Sequence, residues 1–122
     1  MRVEPELMRD ILTAIEAIPA DEPLDGTLTF EDRRQPDVNE HIRLLFEDGY
    51  LRGRIDEDEQ GFPASFSIRG LTMKGHQFVG NARNDTVWKK VLAKAKETGQ
   101  SLTMTILNGL LEKAAKNYFG ID

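Results

Sequence analysis

Apolar residues in the first part of the chain recur every three to four positions. Leu7, Ile11, Ile15 and Ile18, with Met8 and Leu12 beside them, follow Pro5 and stop at Pro19, which predicts a helix over residues 4–18. Residues 20–36 gather Pro, Gly and Asp around one β-prone piece, 27–30, and read as loop plus a short strand. Asp37 with Glu40 three residues on has the form of a capping box, so a second helix is expected to begin there, with Val38, Ile42, Leu45 and Phe46 as its apolar face. Gly49 stands where a left-handed residue would end it. Beyond Gly49 the period changes to alternation. Leu51 and Ile55 share one face of a strand, Phe66 and Ile68 one face of another, and the acidic segment 56–63 between them predicts a hairpin with a long exposed tip that blunts edge pairing. Thr72 is placed to cap a helix through Phe78, Val79 and Ala82, which restarts or kinks near Asp85 and continues through Trp88, Val91, Leu92 and Ala95 to Gly99.

Ser101 is expected to open a last helix ending near Gly120. At about 100° per residue, Leu102, Met104, Ile106, Leu107, Leu110, Leu111 and Tyr118 cover an arc of roughly 200°, about twice what a surface helix needs. The excess must meet the rest of the chain on two sides or a second copy of it. Leu107, Leu111 and Tyr118 are accordingly the expected interface of a homodimer.

Composition narrows the class of protein. With 122 residues, 39% hydrophobic and 30% charged, the chain fits one domain, with 1–72 as its core and 73–122 as a helical extension packing back on it as one unit. The absence of cysteine removes disulfides, thiol nucleophiles and thiolate metal sites. His41 and His76 are far apart in sequence, so neither a metal nor another cofactor is expected, and His76 reads as a packed residue satisfied by a backbone group. No apolar run exceeds three residues, which predicts no membrane span and a cytoplasmic protein. Charge is uneven. Residues 1–60 hold 7 Lys+Arg against 17 Asp+Glu, a net of −10, whereas 61–122 hold 9 against 4, a net of +5. Such halves attract each other within one fold, or between two copies packed head to tail.

Helix, short strand, helix and hairpin is the element order of a winged helix-turn-helix domain, an α+β fold in which the helix before the hairpin is the recognition helix. His41, Leu44, Leu45, Gly49, Tyr50 and Leu51 are similar to the step with which many small winged-helix regulators pass into the first wing strand. Leu71, Thr72, Gly75 and His76 resemble the exit from the second. Over residues 71–89, Gly75, His76, Phe78, Arg83, Asp85, Thr86, Val87, Trp88 and Lys89 resemble the short prokaryotic and phage proteins labelled domain of unknown function 2513. That resemblance implies a winged-helix fold and a regulatory role, and lends no catalytic residues; the helical pattern after Thr72 adds a C-terminal helical hairpin to that fold.

Candidate chemistry follows from this frame. Arg33, Arg34 and Arg43, with Asn39 to read a base edge, form a possible contact patch for double-stranded DNA, and Arg52, Arg54 and Arg69 on the wing strands could grip its backbone. Asp37, Glu40, Glu47 and Asp48 on the same helix oppose phosphate binding. They suit the alternative reading, a protein-interaction module whose acidic face docks a basic partner. Glu40 and Glu47 are also natural helix partners for Arg43. Asp56, Asp58, Gln60 and Gly61 imitate the first half of a calcium loop, but Ser67 stands where its bidentate Glu is needed. Trp88 with Lys89, Lys90, Lys94 and Lys96 reads as a buried stripe with a wet basic face, on which an anionic surface could dock. No phosphate-cradling, dinucleotide or nucleophile-turn motif occurs, so no enzymatic activity is expected.

Overall fold

The computed structural model describes residues 1–98 and 103–120. It is an α+β structure with the order α1 (Pro5–Glu16), β1 (Leu24–Gly26), α2 (Gln35–Glu47), β2 (Leu51–Glu57), β3 (Pro63–Leu71), α3 (Met73–Ala82), α4 (Asp85–Thr98), α5 (Met104–Phe119). The three strands form one antiparallel sheet in the order β1-β3-β2. That arrangement is compatible with a winged-helix-like one. The chain divides into two compact units, Met1–His76 and Gln77–Asp122, so the boundary falls inside α3, four residues beyond the expected position. No described helix is long and apolar enough to cross a membrane.

In the first unit, Pro5 opens α1 where a missing amide hydrogen costs nothing, and Leu7, Met8, Ile11, Leu12 and Ile15 are buried on one stripe. Each is worth about 1.5–3 kcal/mol against exposure. The helix ends at Glu16 rather than at 18, because Pro19 pulls the preceding residue out of helical geometry. The first strand also differs from expectation. It lies at Leu24–Gly26, pairing with Phe66–Ile68 of β3, while residues 27–30 are irregular in spite of their β-propensity. Partner strands, not intrinsic preference, decide its place.

The second helix starts two residues earlier than its apparent capping box. Pro36 occupies the first turn, Arg34 is the N-cap without a side-chain cap, and Asp37 lies inside the helix. Val38, Ile42 and Leu45 are buried, and Phe46 stacks on Phe66 of β3 with centroids 6.1 Å apart. Gly49 closes the helix at φ 80°, as expected. His41, not His76, is the buried histidine: Nδ1–H donates to the Asp37 carbonyl at 2.7 Å and Nε2 accepts the Glu4 amide at 3.0 Å, which ties the start of α1 to α2. His76 is exposed.

The hairpin carries two irregularities. Leu51, Gly53 and Ile55 face Leu71, Ile68 and Phe66, and the register leaves Arg69 and Ala64 as extra residues on β3. At Gly53, with φ 138°, the backbones of the two strands approach so closely that a Cβ would overlap the Ser67 carbonyl oxygen. Thr72 then fastens the sheet's exit. Its hydroxyl donates to the Gly49 carbonyl at 2.5 Å and accepts the Gly75 amide at 3.1 Å, the expected cap of α3, while its own amide donates to the Tyr50 carbonyl at 3.0 Å. Lys74 donates to the Asp48 carbonyl at 3.0 Å and lies 4.5 Å over the Tyr50 ring.

In the second unit the expected break near Asp85 is a full restart. The Asn84 side-chain oxygen accepts the Thr86 and Val87 amides at 3.0 and 3.1 Å and caps α4. Val87, Trp88 and Val91 are buried, with Phe78 edge-on to Trp88 at 6.3 Å, and Lys89, Lys90, Lys94 and Lys96 are exposed. The expected helix start at Ser101 lies outside the described residues, as does Leu102. Thr103 is the cap, accepting the Ile106 amide at 3.2 Å. Met104, Leu107, Leu111 and Ala115 form the buried stripe of α5. Leu107 and Leu111 are 1% and 0% exposed within the single chain, so they are corrected from interface residues to core residues. Tyr118 of that trio is half-exposed, and Ile106 of α5 also lies at the surface.

Candidate nucleic-acid interface and a lysine-rimmed groove

The surface of α2 was the expected contact face for DNA. Its apolar stripe turns Asn39 inward, since 39 lies one residue from Val38 and three from Ile42. Asn39 is 7% exposed and makes three side-chain hydrogen bonds: its amide donates to the Pro63 carbonyl at 3.2 Å, and its oxygen accepts Thr27 Oγ1 at 2.7 Å and Gln35 Nε2 at 2.8 Å. It is corrected from a base reader to a buried link between α2, the loop after β1 and the start of β3. Arg43 is held by Glu40 at 2.7 and 3.2 Å. That hydrogen bond pushes the guanidinium above its usual value, and the charges of Glu40, Glu47 and Glu57 add to it. Arg33 Nε lies 3.1 Å from Glu4 Oε2, an ion pair without the alignment of a hydrogen bond. Arg34, at the helix entrance, is exposed and makes no side-chain hydrogen bond or ion pair among the described residues.

On the strands, Arg52 is exposed and donates through Nε to the Leu71 carbonyl at 3.2 Å. Arg54 is 75% exposed, 3.6 Å from Asp56, a distance at which a surface pair contributes little. Arg69 is the bulged residue and is exposed, with no hydrogen bond or ion pair among the described residues. The structure therefore keeps Arg34, Arg52, Arg54 and Arg69 at the surface and engages Arg33, Asn39 and Arg43 elsewhere.

The hairpin tip is a built turn. Asp58 Oδ1 accepts the Gln60 and Phe62 amides at 2.9 Å each, the Asp58 amide donates to the Phe62 carbonyl at 2.8 Å, and the Gly61 amide donates to the Asp58 carbonyl at 3.0 Å. This explains the Asp-x-Gln-Gly pattern without calcium. Among the described residues no group of three or more His, Asp or Glu is arranged to hold a metal. The turn presents Glu57 and Glu59 to solvent and holds Phe62 62% exposed. An aromatic inside an acidic tip was a legible signal that composition alone passes over.

In the second unit, α4 and α5 lie against each other and leave a groove of about 160 Å³. Val91, Leu110 and Ala114 supply its apolar part, with Lys90, Lys94 and Lys113 around it and Asn117 at one side. Lys90 and Lys94 are one helical turn apart and so share a side of α4. Lys113 comes from α5, a pairing that no spacing within one helix could reveal. None of the three lysines makes a hydrogen bond or ion pair among the described residues.

The comparisons with known proteins bear on the family alone. No curated protein and no solved structure matches the chain. One family model does, and it covers residues 2–101, far more than the block around Gly75 and Trp88 that carries the sequence resemblance. The chain therefore belongs to the family described as Hypothetical protein (DUF2513).

Proposed function

We propose that the chain is a non-catalytic protein-interaction module that presents the acidic side chains of α2 and of the hairpin tip to a basic partner. The observation that carries this reading is the fate of the expected base reader: Asn39 is buried and makes three hydrogen bonds inside the first unit. With Arg43 engaged by Glu40, the exposed side of α2 offers Glu47 and Asp48 and little that could read a groove. Residues 1–76 hold 9 Lys+Arg against 17 Asp+Glu, a net of −8, which opposes a polyanion and favours a cationic surface.

DNA binding is the second reading, and the exposure of Arg34, Arg52, Arg54 and Arg69 favours it. Those groups suit phosphates, so the binding they offer is sequence-independent.

Two titrations separate the readings. A random-sequence DNA duplex at about 50 mM salt is expected to show no association tighter than the nonspecific range of roughly 10⁻⁴ to 10⁻⁶ M. A lysine-rich amphipathic peptide is expected to bind, and to lose at least about tenfold in affinity on Glu57→Lys with Glu59→Lys. Tight duplex binding that weakens steeply with salt and disappears in Arg34→Ala with Arg69→Ala would overturn the proposal in favour of DNA.

A further inference from the structure

We infer that the basic partner of the hairpin tip is a second copy of this chain: the tip of one copy docks in the lysine-rimmed groove between α4 and α5 of another. This rests on the reading of the tip as a docking element, and adds its destination.

The two surfaces are opposite in charge and each has an apolar part. On one side, Asp58 braces the turn through two amides and leaves the carboxylates of Glu57 and Glu59 without a hydrogen bond or ion pair among the described residues, with the Phe62 ring standing 62% exposed beside them. On the other, Val91, Leu110 and Ala114 form an apolar floor, with Lys90, Lys94 and Lys113 around it. Phe62 on that floor would leave the two glutamates among three ammonium groups. An aromatic anchor with charged groups at its rim is the usual composition of a small docking contact. Nucleic acid would satisfy the lysines but would place charged phosphates over the apolar floor. A net of −8 for residues 1–76 and of +3 for 77–122 draws unlike ends of two copies together.

The contact joins two different surfaces, so it is heterologous: each copy offers one tip and one groove. It is also small, a single turn in a 160 Å³ groove, well below the burial of a permanent interface. Association is therefore weak and concentration-dependent. Since rim charges are screened by salt, raising the concentration from about 0.05 M to about 0.5 M should weaken it severalfold.

The test uses the full chain and two variants. One has a damaged tip, Phe62→Ala with Glu57→Lys and Glu59→Lys; the other a damaged groove, Lys90→Glu with Lys94→Glu. All five positions are exposed, so circular dichroism should match the wild type. In sedimentation at high protein concentration the wild type is expected to associate, and each variant alone to remain monomeric. The decisive sample is their mixture. The intact groove of the first variant can accept the intact tip of the second, so a complex forms in the mixture that neither variant gives alone. A mixture that stays monomeric, or a wild type monomeric throughout, overturns the inference. If the wild type then still binds the lysine-rich peptide, the acidic docking module stands and only its destination is wrong.

Discussion

Gly53→Ala is expected to cost the first unit about 3–5 kcal/mol, a large part of the roughly 5–15 kcal/mol that hold a domain folded. Two effects add. A φ of 138° belongs to a region that only glycine occupies without strain, worth about 1–3 kcal/mol for any other residue. The new methyl would also overlap the Ser67 carbonyl oxygen, so β2 and β3 would have to separate where their register shifts. Urea unfolding followed by circular dichroism should show the midpoint falling sharply. Gly109→Ala provides the opposite sign, since Gly109 lies inside α5 with nothing within 4 Å of its missing Cβ, and a gain of about 0.5–1 kcal/mol is expected. Equal and small effects at the two positions would refute the close approach of the strands.

The second large effect falls on Asn39. Asn39→Ala removes the partner of the Pro63 carbonyl and the acceptor of both Thr27 and Gln35, and leaves a void beside Val38 and Ile42. Buried polar groups left without partners cost about 1–3 kcal/mol each, so a loss of about 3 kcal/mol is expected after partial relaxation. Arg34→Ala, five residues earlier on the exposed entrance to the same helix, should stay within about 0.5 kcal/mol of the wild type. Duplex DNA titrations of both variants should match the wild type. An Asn39→Ala protein of undiminished stability that has lost affinity for DNA would restore the recognition-helix reading.

These residues also mark what the sequence makes legible. The stripe from Leu7 to Ile15, the left-handed end at Gly49, the alternation in the hairpin and the Thr72 cap are local patterns whose geometry is decided within a few residues, and each is realised. The placement of β1 was not local. Residues 27–30 have the better β-propensity, but Phe66–Ile68 pair with Leu24–Gly26, and ladder pairing outweighs preference. Asp37 and Glu40 satisfy a capping pattern that Pro36 overrides by starting the helix first. Asn39 was misread because its type suggested chemistry, whereas its spacing from Val38 and Ile42 placed it inside. The same rule reverses the two histidines: position 41 falls on the buried stripe and position 76 does not. Of the lysine groove, Lys90 and Lys94 were visible as a basic run, but Lys113 joins them only through the packing of α5 on α4.

The bonds around Thr72 make the end of α2 depend on the start of α3. A fragment ending at Leu71, the last residue of the sheet, would keep every strand yet lose the hydroxyl on the Gly49 carbonyl, the amide on the Tyr50 carbonyl and the ammonium on the Asp48 carbonyl. All three belong to the turn that ends α2. That turn is closed by residues arriving more than twenty positions later, so its closure requires the first turn of α3. The first turn of α3 thus acts as a clasp for the end of α2 as well as the opening of its own helix.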